Sequence, residues 1–225
     1  MAVLQLAELK VVLQNPELSR LVDEAWQALG QAFQQEQARL PAEMAMPRKE
    51  LSFHPQVKFL GYLCWLVETL QGDIIEIGVW KGKSSALMSR LCAGKRRVIG
   101  IDPMVLPNQE HELGFYRERI FPEVTLVQGF SEASYWHVMT QLQPRTVILH
   151  IDGGHAGRNV LLDFLLYGPT VVSGGFIVFD DYGDHRHSPE VGPAVDLLRA
   201  GGYFSGFNVI GVVPGYENSY LIQKR

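Results

Sequence analysis

The sequence predicts a doubly wound α/β fold with helices ahead of it and an antiparallel strand pair at its end. Three observations carry this reading. From residue 72 onward, short apolar runs alternate with longer helical patterns five times: DIIEIG with KSSALMSRLC, RVIGID with a polar stretch, VTLVQG with SEASYWHVMTQL, TVILHID with AGRNVLLDFLLY, and GGFIVFDD with PEVGPAVDLLRA. Strand-helix units in succession require right-handed crossovers, hence a parallel sheet covered on both faces. Before residue 72, LAELKVVLQ and LSRLVDEAWQALGQAFQQEQARL place apolar residues three and four apart, which is the helical spacing. The proline-bearing LPAEMAMPRKELSF reads as a linker, and HPQVKFLGYLCWLVETLQG as a further helix ending at Gly72. After residue 200 the alternation stops, and YFSGFNVIGVVPGYENSYLIQKR reads as two strands joined through PGYEN. The expected organisation is a helical segment over 1–71 and a sheet domain over 72–225.

Composition narrows the function. With 225 residues and 47% apolar content the chain can bury a full core. Twenty Lys and Arg against 24 Asp and Glu leave a net charge of −4, so the cationic excess that nucleic acid requires is missing. Two cysteines, Cys64 and Cys92, lie far apart without CxxC spacing; neither a disulfide framework nor a structural zinc site is suggested. No run is long and apolar enough to span a bilayer. The expectation is a soluble cytoplasmic protein that binds neither nucleic acid nor membrane.

In an open parallel sheet, ligands bind beyond the carboxyl ends of the strands, so each strand end is a candidate. EIGVWKGKSS, residues 76–85, is a strand, a glycine-bearing turn and a helix start, where the backbone approaches a ligand closely. A dinucleotide fingerprint fails because Trp80 holds the second glycine position. A phosphate loop is nearly present in Gly78, Gly82, Lys83 and Ser84, but one residue short. The third reading is a turn for the methionine part of S-adenosylmethionine, with Glu76 at its cationic end and Gly78 admitting it against the backbone. Asp102, ending RVIGID, suits two ribose hydroxyls, or equally caps the turn before Pro103. Gly129, Phe130 and Ser131 offer a small residue, an aromatic face and a hydroxyl to an adenine ring; Ser131 equally reads as a helix N-cap.

Asp152, Asp180 and Asp181 end two strands that, as sheet neighbours, lie about 4.8 Å apart. Three carboxylates without thiolates suit Mg²⁺ (or Mn²⁺), and without a cation at least one would titrate upward. The competing reading makes Asp180 and Asp181 formers of the turn DDYGD. His155, three residues past Asp152, presents an imidazole, the side chain suited to proton transfer near neutral pH. His54, His111 and His137 read as exposed, and His150 as a core residue within its strand. The loop with His185, Arg186 and His187 either contacts substrate or is solvated.

These residues resemble the class I S-adenosylmethionine-dependent methyltransferases, and among them the metal-dependent macrocin, sugar and catechol O-methyltransferases. EIGVWKGKSS looks like their cofactor loop; IDGGH and GGFIVFDDYG look like their metal strands. The resemblance implies a Rossmann-like sheet, cofactor contacts from Glu76, Gly78, Ser84, Ser85, Asp102 and Phe130, and metal ligands Asp152, Asp180 and Asp181. The sugar enzymes often carry a second aspartate where this chain has Gly154, and the catechol enzymes a base in the register of His155. The implied activity is methyl transfer to a hydroxyl of a small diol-like acceptor, with His155 as base and residues 1–71 covering substrate or assisting a homodimer. Two rivals stand beside it: a nucleotide hydrolase built on Gly78–Ser84, and a catalytically silent cofactor-binding interaction protein.

Overall fold

The structure is a computed structural model that describes residues 3–48, 51 and 54–225. Its centre is a seven-stranded sheet: β1 (Asp73–Ile77), β2 (Val98–Asp102), β3 (Thr125–Gln128), β4 (Thr146–Ile151), β5 (Val171–Phe179), β6 (Phe207–Val213) and β7 (Tyr216–Lys224). The strand order is β3-β2-β1-β4-β5-β7-β6. The first five strands are parallel, and β7 runs antiparallel to both β5 and β6. The expected closing pair is therefore present. The order reverses between β1 and β4, which places a crevice beyond their carboxyl ends.

Helices α1 (Leu6–Leu13), α2 (Pro16–Gln37) and α3 (Lys58–Leu66) precede the sheet, followed by α4 (Lys83–Cys92), α5 (Gln109–Ile120), α6 (Ser131–His137), α7 (Gly157–Tyr167) and α8 (Val191–Ala200). Helix α2 starts where its sequence says it should. Asn15 accepts from the amides of Glu17 and Leu18 at 3.0 Å, and Pro16 holds the first turn. Leu18, Val22, Ala25, Trp26, Leu29 and Phe33 form its buried stripe. Ala25, Trp26, Leu29 and Phe33 of that stripe share one core with α4, α5 and one sheet face, Phe33 meeting Tyr116 at 5.1 Å and Phe121 at 6.0 Å between ring centroids, while Leu18 and Val22 pack with Tyr62. A second core on the opposite face joins α7 and α8 to Ile75, Ile77, Ile151 and Phe179. The two faces follow from alternation, because odd and even strand residues point opposite ways.

The polar stretch expected after β2 contains α5. Its buried face includes Gln109 and Glu112 beside Leu113, Phe115 and Tyr116, so hydrophobic periodicity could not reveal it. Glu112 explains why a charged helix is held here. Its Oε1 lies 2.8 Å from Lys81 Nζ, both side chains being fully buried, and its Oε2 accepts from the Met46 amide at 2.6 Å. Lys81 Nζ also donates to the Arg48 carbonyl at 2.7 Å, and Asn108 Nδ2 to the Ala45 carbonyl at 2.9 Å. Residues 45–48 are thereby strapped across the loop between β1 and α4 and the start of α5. Removing one partner of a buried ion pair typically costs about 3–5 kcal/mol, since the other charge stays buried without compensation. Lys81→Met should lower the unfolding free energy by about that amount in urea denaturation, and Glu112→Leu in the same chain should recover much of the loss.

Candidate active site at the carboxyl ends of the strands

Register decides which residues meet. Ile77 pairs with Ile101 and with Ile151, and Ile151 with Phe179. The next residues, Gly78, Asp102, Asp152 and Asp180, therefore stand in one row. The ladder continues through them: Gly78 N donates to the Ile101 carbonyl at 2.9 Å, Asp152 N to Ile77 at 2.8 Å and Asp180 N to Ile151 at 3.0 Å. Above this row lies a cleft of about 1240 Å³. Of the candidates, Gly78, Ser84, Asp102, Phe130, Ser131, Asp152, His155, Asp180 and Asp181 line it. Gly129 instead borders a separate hollow between β3 and α6.

The turn after β1 is built for close approach. Gly78 has φ +89°, and a Cβ there would fall 1.9 Å from the Asp152 carbonyl oxygen. Trp80 adopts φ 53° and Gly82 φ 82°, so the chain folds back twice in the left-handed region before α4 begins. Asp102 holds this turn from beneath. Its Oδ2 accepts from the Val79 and Trp80 amides at 2.9 Å each, and its Oδ1 from Met104 N at 2.7 Å and Gln109 Nε2 at 3.0 Å. All four in-plane lone-pair positions are thus taken, and a ribose hydroxyl at Asp102 requires Gln109 to yield its place. Two loop amides bonded to a carboxylate are also unavailable to phosphate oxygens, which counts against the phosphate-loop rival.

Glu76 and Ser85 sit one layer below the cleft rather than on its wall. Ser85 Oγ donates to Glu76 Oε2, and Glu76 Oε1 lies 2.9 Å from His150 Nδ1. Contact between Glu76 and a cofactor ammonium requires one of these bonds to open. Burial pulls the His150 imidazole toward neutrality, but the hydrogen bond and charge of Glu76, with Asp152 and Asp180 nearby, outweigh it and raise the pKa to about 9. His150 is therefore a buried cation in the core. Lys83, which opens α4 on the cleft wall and donates to the Leu51 carbonyl, is lowered to about 8 by burial and by Lys81, against the pull of Asp152.

Asp152 is shared by two groups of acids and histidines. Asp152 lies with His150 and Asp180 in one group, and with His155 and Asp181 in another, whose ligand atoms all lie within 4.8 Å of each other. Burial first, then the Asp180 charge, holds the Asp152 carboxyl well above its usual range; Asp180 is raised by burial and by Asp181, against His150. This is the repulsion expected of acids gathered without a cation. Asp181 has φ 59°, a backbone state that aspartate tolerates better than most residues. Its Oδ2 accepts from Ser188 Oγ at 2.8 Å and lies 3.2 Å from His155 Nε2. Ser188 Oγ also meets His155 Nδ1 at 2.8 Å. With the Ser188 proton on Asp181, Nδ1 donates to Ser188 Oγ, and Nε2 faces the Asp181 carboxylate.

Several participants carried no signal at sequence level. Ser188, Gln109, Asn159 and Asn218 are ordinary polar residues placed by tertiary structure alone. Ser131 is not an N-cap: Phe130 occupies that position, and the Ser131 hydroxyl donates to Asp163. A Cβ at Gly154 would fall 2.1 Å from Asn159 Nδ2, so an acid there would have to displace that amide. His187 borders the cleft, whereas His185 and Arg186 do not.

A methyltransferase-domain profile matches residues 75–182, the segment from β1 through the paired aspartates. The uncharacterized protein R132 of Acanthamoeba polyphaga mimivirus is 36% identical over 172 residues, covering 72% of this chain and 77% of that protein. Among solved structures, an O-methyltransferase from Bacillus cereus in complex with SAH superposes with TM-score 0.61 at 17% identity, covering 90% of this chain and 91% of that one. The calicheamicin-pathway TDP-rhamnose 3′-O-methyltransferase CalS11 superposes with TM-score 0.60 at 16% identity, covering 89% and 93%. Among the described residues, no helix is long and apolar enough to cross a membrane.

Asp102→Ala would leave three backbone amides without their acceptor; at roughly 1 kcal/mol net for each, the midpoint of chemical denaturation should fall by the equivalent of about 3 kcal/mol. With the loop geometry, the acids and the profile match in agreement, the chain carries a methyltransferase domain over residues 75–182 and belongs to one family with the mimivirus protein R132.

Proposed function

We propose that the chain is a divalent-cation-dependent O-methyltransferase acting on a hydroxyl of a small diol-like acceptor, a sugar or a catechol-like ring. The observation that carries this reading is the pair of ligand groups that share Asp152, one with His150 and Asp180 and the other with His155 and Asp181, across the Asp152 carbonyl from the turn at Gly78. The two superposed structures are O-methyltransferases, which supports the same reaction class.

The residues present fit both groups. Oxygen donors dominate the cluster, which suits Mg²⁺ or Mn²⁺, and the raised Asp152 and Asp180 carboxyls mark a negative excess that a cation would relieve. Gly78, with no room for a side chain, leaves backbone open to a cofactor. When bound, S-adenosylmethionine supplies an electrophilic methyl on sulfur, and the cation supplies acidification of the acceptor hydroxyl.

The chain's own part is orientation and proton handling. Ser188 Oγ holds the His155 ring through Nδ1, so that Nε2 is the atom to take the acceptor proton. The imidazolium formed has both N–H groups met, by Ser188 Oγ and by Asp181 Oδ2. Residues 45–48, strapped to the cofactor turn, bring Arg48 to the cleft wall with His54 and Gln56. The segment before residue 72 would thus cover the acceptor.

Calorimetric titration should show binding of S-adenosylhomocysteine and none of ATP; heat with ATP alone would sink the methyltransferase chemistry proposed here. Turnover against a panel of diols with labelled methyl donor should vanish with chelator and return with Mg²⁺ or Mn²⁺, and Asp181→Ala should not be rescued. His155→Gln should keep S-adenosylhomocysteine affinity while slowing turnover by about 10²–10⁴-fold. Unchanged turnover across neutral pH would return His155 to a structural place.

A further inference from the structure

Cys64 and Cys92 lie far apart in sequence, yet the fold gathers them into one core, where both are free and buried. The packing of α3 on α4 does this. A Cβ on Gly61 would fall 2.8 Å from Leu91 Cδ1, so the helices touch one turn before Cys64 and one residue before Cys92. Past that crossing the segments that follow are tied together. Arg96 donates to the Val67 and Glu68 carbonyls at 2.7 and 3.3 Å and to those of Leu70 and Gly72 at 3.1 and 3.2 Å, and Lys95 pairs with Glu68 at 2.8 Å. Between the crossing and these ties the two thiols share a hydrogen bond.

The two sulfurs are not equivalent. The hydrogen bond from Cys64 lowers the Cys92 thiol against the effect of burial, and Arg96 and Lys95 pull it the same way. The same hydrogen bond, with burial, holds Cys64 well above the usual thiol range. A thiol lowered by neighbouring cations beside one kept protonated is the pairing of an attacking with a resolving cysteine. Cysteines that only fill a core as small apolar residues need no such cations. The pair is approached from the end of α4: Cys92 is its last residue, Ala93, Gly94 and Lys95 after it are exposed, and a Cβ on Gly94 would meet nothing within 4 Å.

We propose that Cys64 and Cys92 are a redox pair, which a peroxide converts into an intrachain disulfide that staples α3 to α4. The Cys92 thiolate attacks one peroxide oxygen and the O–O bond breaks; with one proton taken up, water leaves and Cys92 becomes a sulfenic acid. The Cys64 sulfur then attacks the Cys92 sulfur, the S–O bond breaks, and the Cys64 proton leaves with the hydroxide as a second water. The thiols lose two electrons and the peroxide gains them. The ring so closed, from 64 to 92, contains β1 and the turn at Gly78. Closing it removes freedom from the unfolded chain, which favours the folded one.

The full chain, reduced and then treated with hydrogen peroxide, tests this. Its intact mass should fall by two hydrogens, and after denaturation both thiols should be closed to iodoacetamide. Peptide mapping should recover one cross-link joining Cys64 to Cys92, and dithiothreitol should reverse it. The oxidised chain should melt about 5–10 °C above the reduced one. In Cys64→Ala, dimedone should trap Cys92 as a sulfenic acid; if that variant does not fold, the wild-type map decides alone. Thiols unchanged at a dose that oxidises free cysteine, a bridge between two chains, or a bridged chain that melts no higher than the reduced one would overturn the proposal and leave both cysteines as core residues.

Discussion

The ends of β1 and β4 cross so closely that nothing larger than hydrogen fits on Gly78, whose Cβ position is 1.9 Å from the Asp152 carbonyl oxygen. That approach couples the two halves of the site. The backbone proposed to admit a cofactor and the backbone that presents the first carboxylate are in contact, so neither can shift without the other. Parallel pairing supplies the rest: because Ile77, Ile101, Ile151 and Phe179 are in register, every residue that follows them arrives at the same height. A site assembled from four strand ends depends on this alignment more than on any single side chain.

Around that contact the chain places three polar groups in its interior, each gripping the cofactor turn from a different direction. Asp102 holds the Val79 and Trp80 amides from below. Lys81, paired with Glu112, ties the turn to α5 and to residues 46–48. Glu76, with His150 and Ser85, locks the end of β1 to β4 and α4. Each group spends desolvation energy that an apolar core would not. In return the turn is fixed before any ligand arrives, which reduces the ordering cost of binding.

The strand ends were legible because an apolar run that stops at an acid is a strong local signal, and Asp102, Asp152, Asp180 and Asp181, at the ends of three runs, mark one rim. What escaped was whatever depends on partners distant in sequence. Helix α5 buries Gln109 and Glu112 because Asp102 and Lys81 await them, and a reading of periodicity sees only a charged stretch. Asp163 lies within the apolar pattern of α7 and reads as its polar face until Ser131 is found 32 residues away. Glu76 and Ser85 were visible as polar residues at the right place, but their mutual bond, invisible in one dimension, sets them below the cleft.

The same rim shows why a functional site stands apart from the core's stability. Asp152 and Asp180 are buried with carboxyls raised by loss of water and by neighbouring negative charge, so in the absence of a cation they oppose folding. The protonated His150 beneath them supplies one positive charge, already engaged by Glu76, and cannot neutralise all three aspartates. Any ligand that binds only the folded chain shifts stability in proportion to the logarithm of its concentration over its dissociation constant. A divalent ion bound here would therefore remove a destabilising repulsion as well as prepare the acceptor. The arrangement that is costly without an ion is the one that would give an ion its affinity.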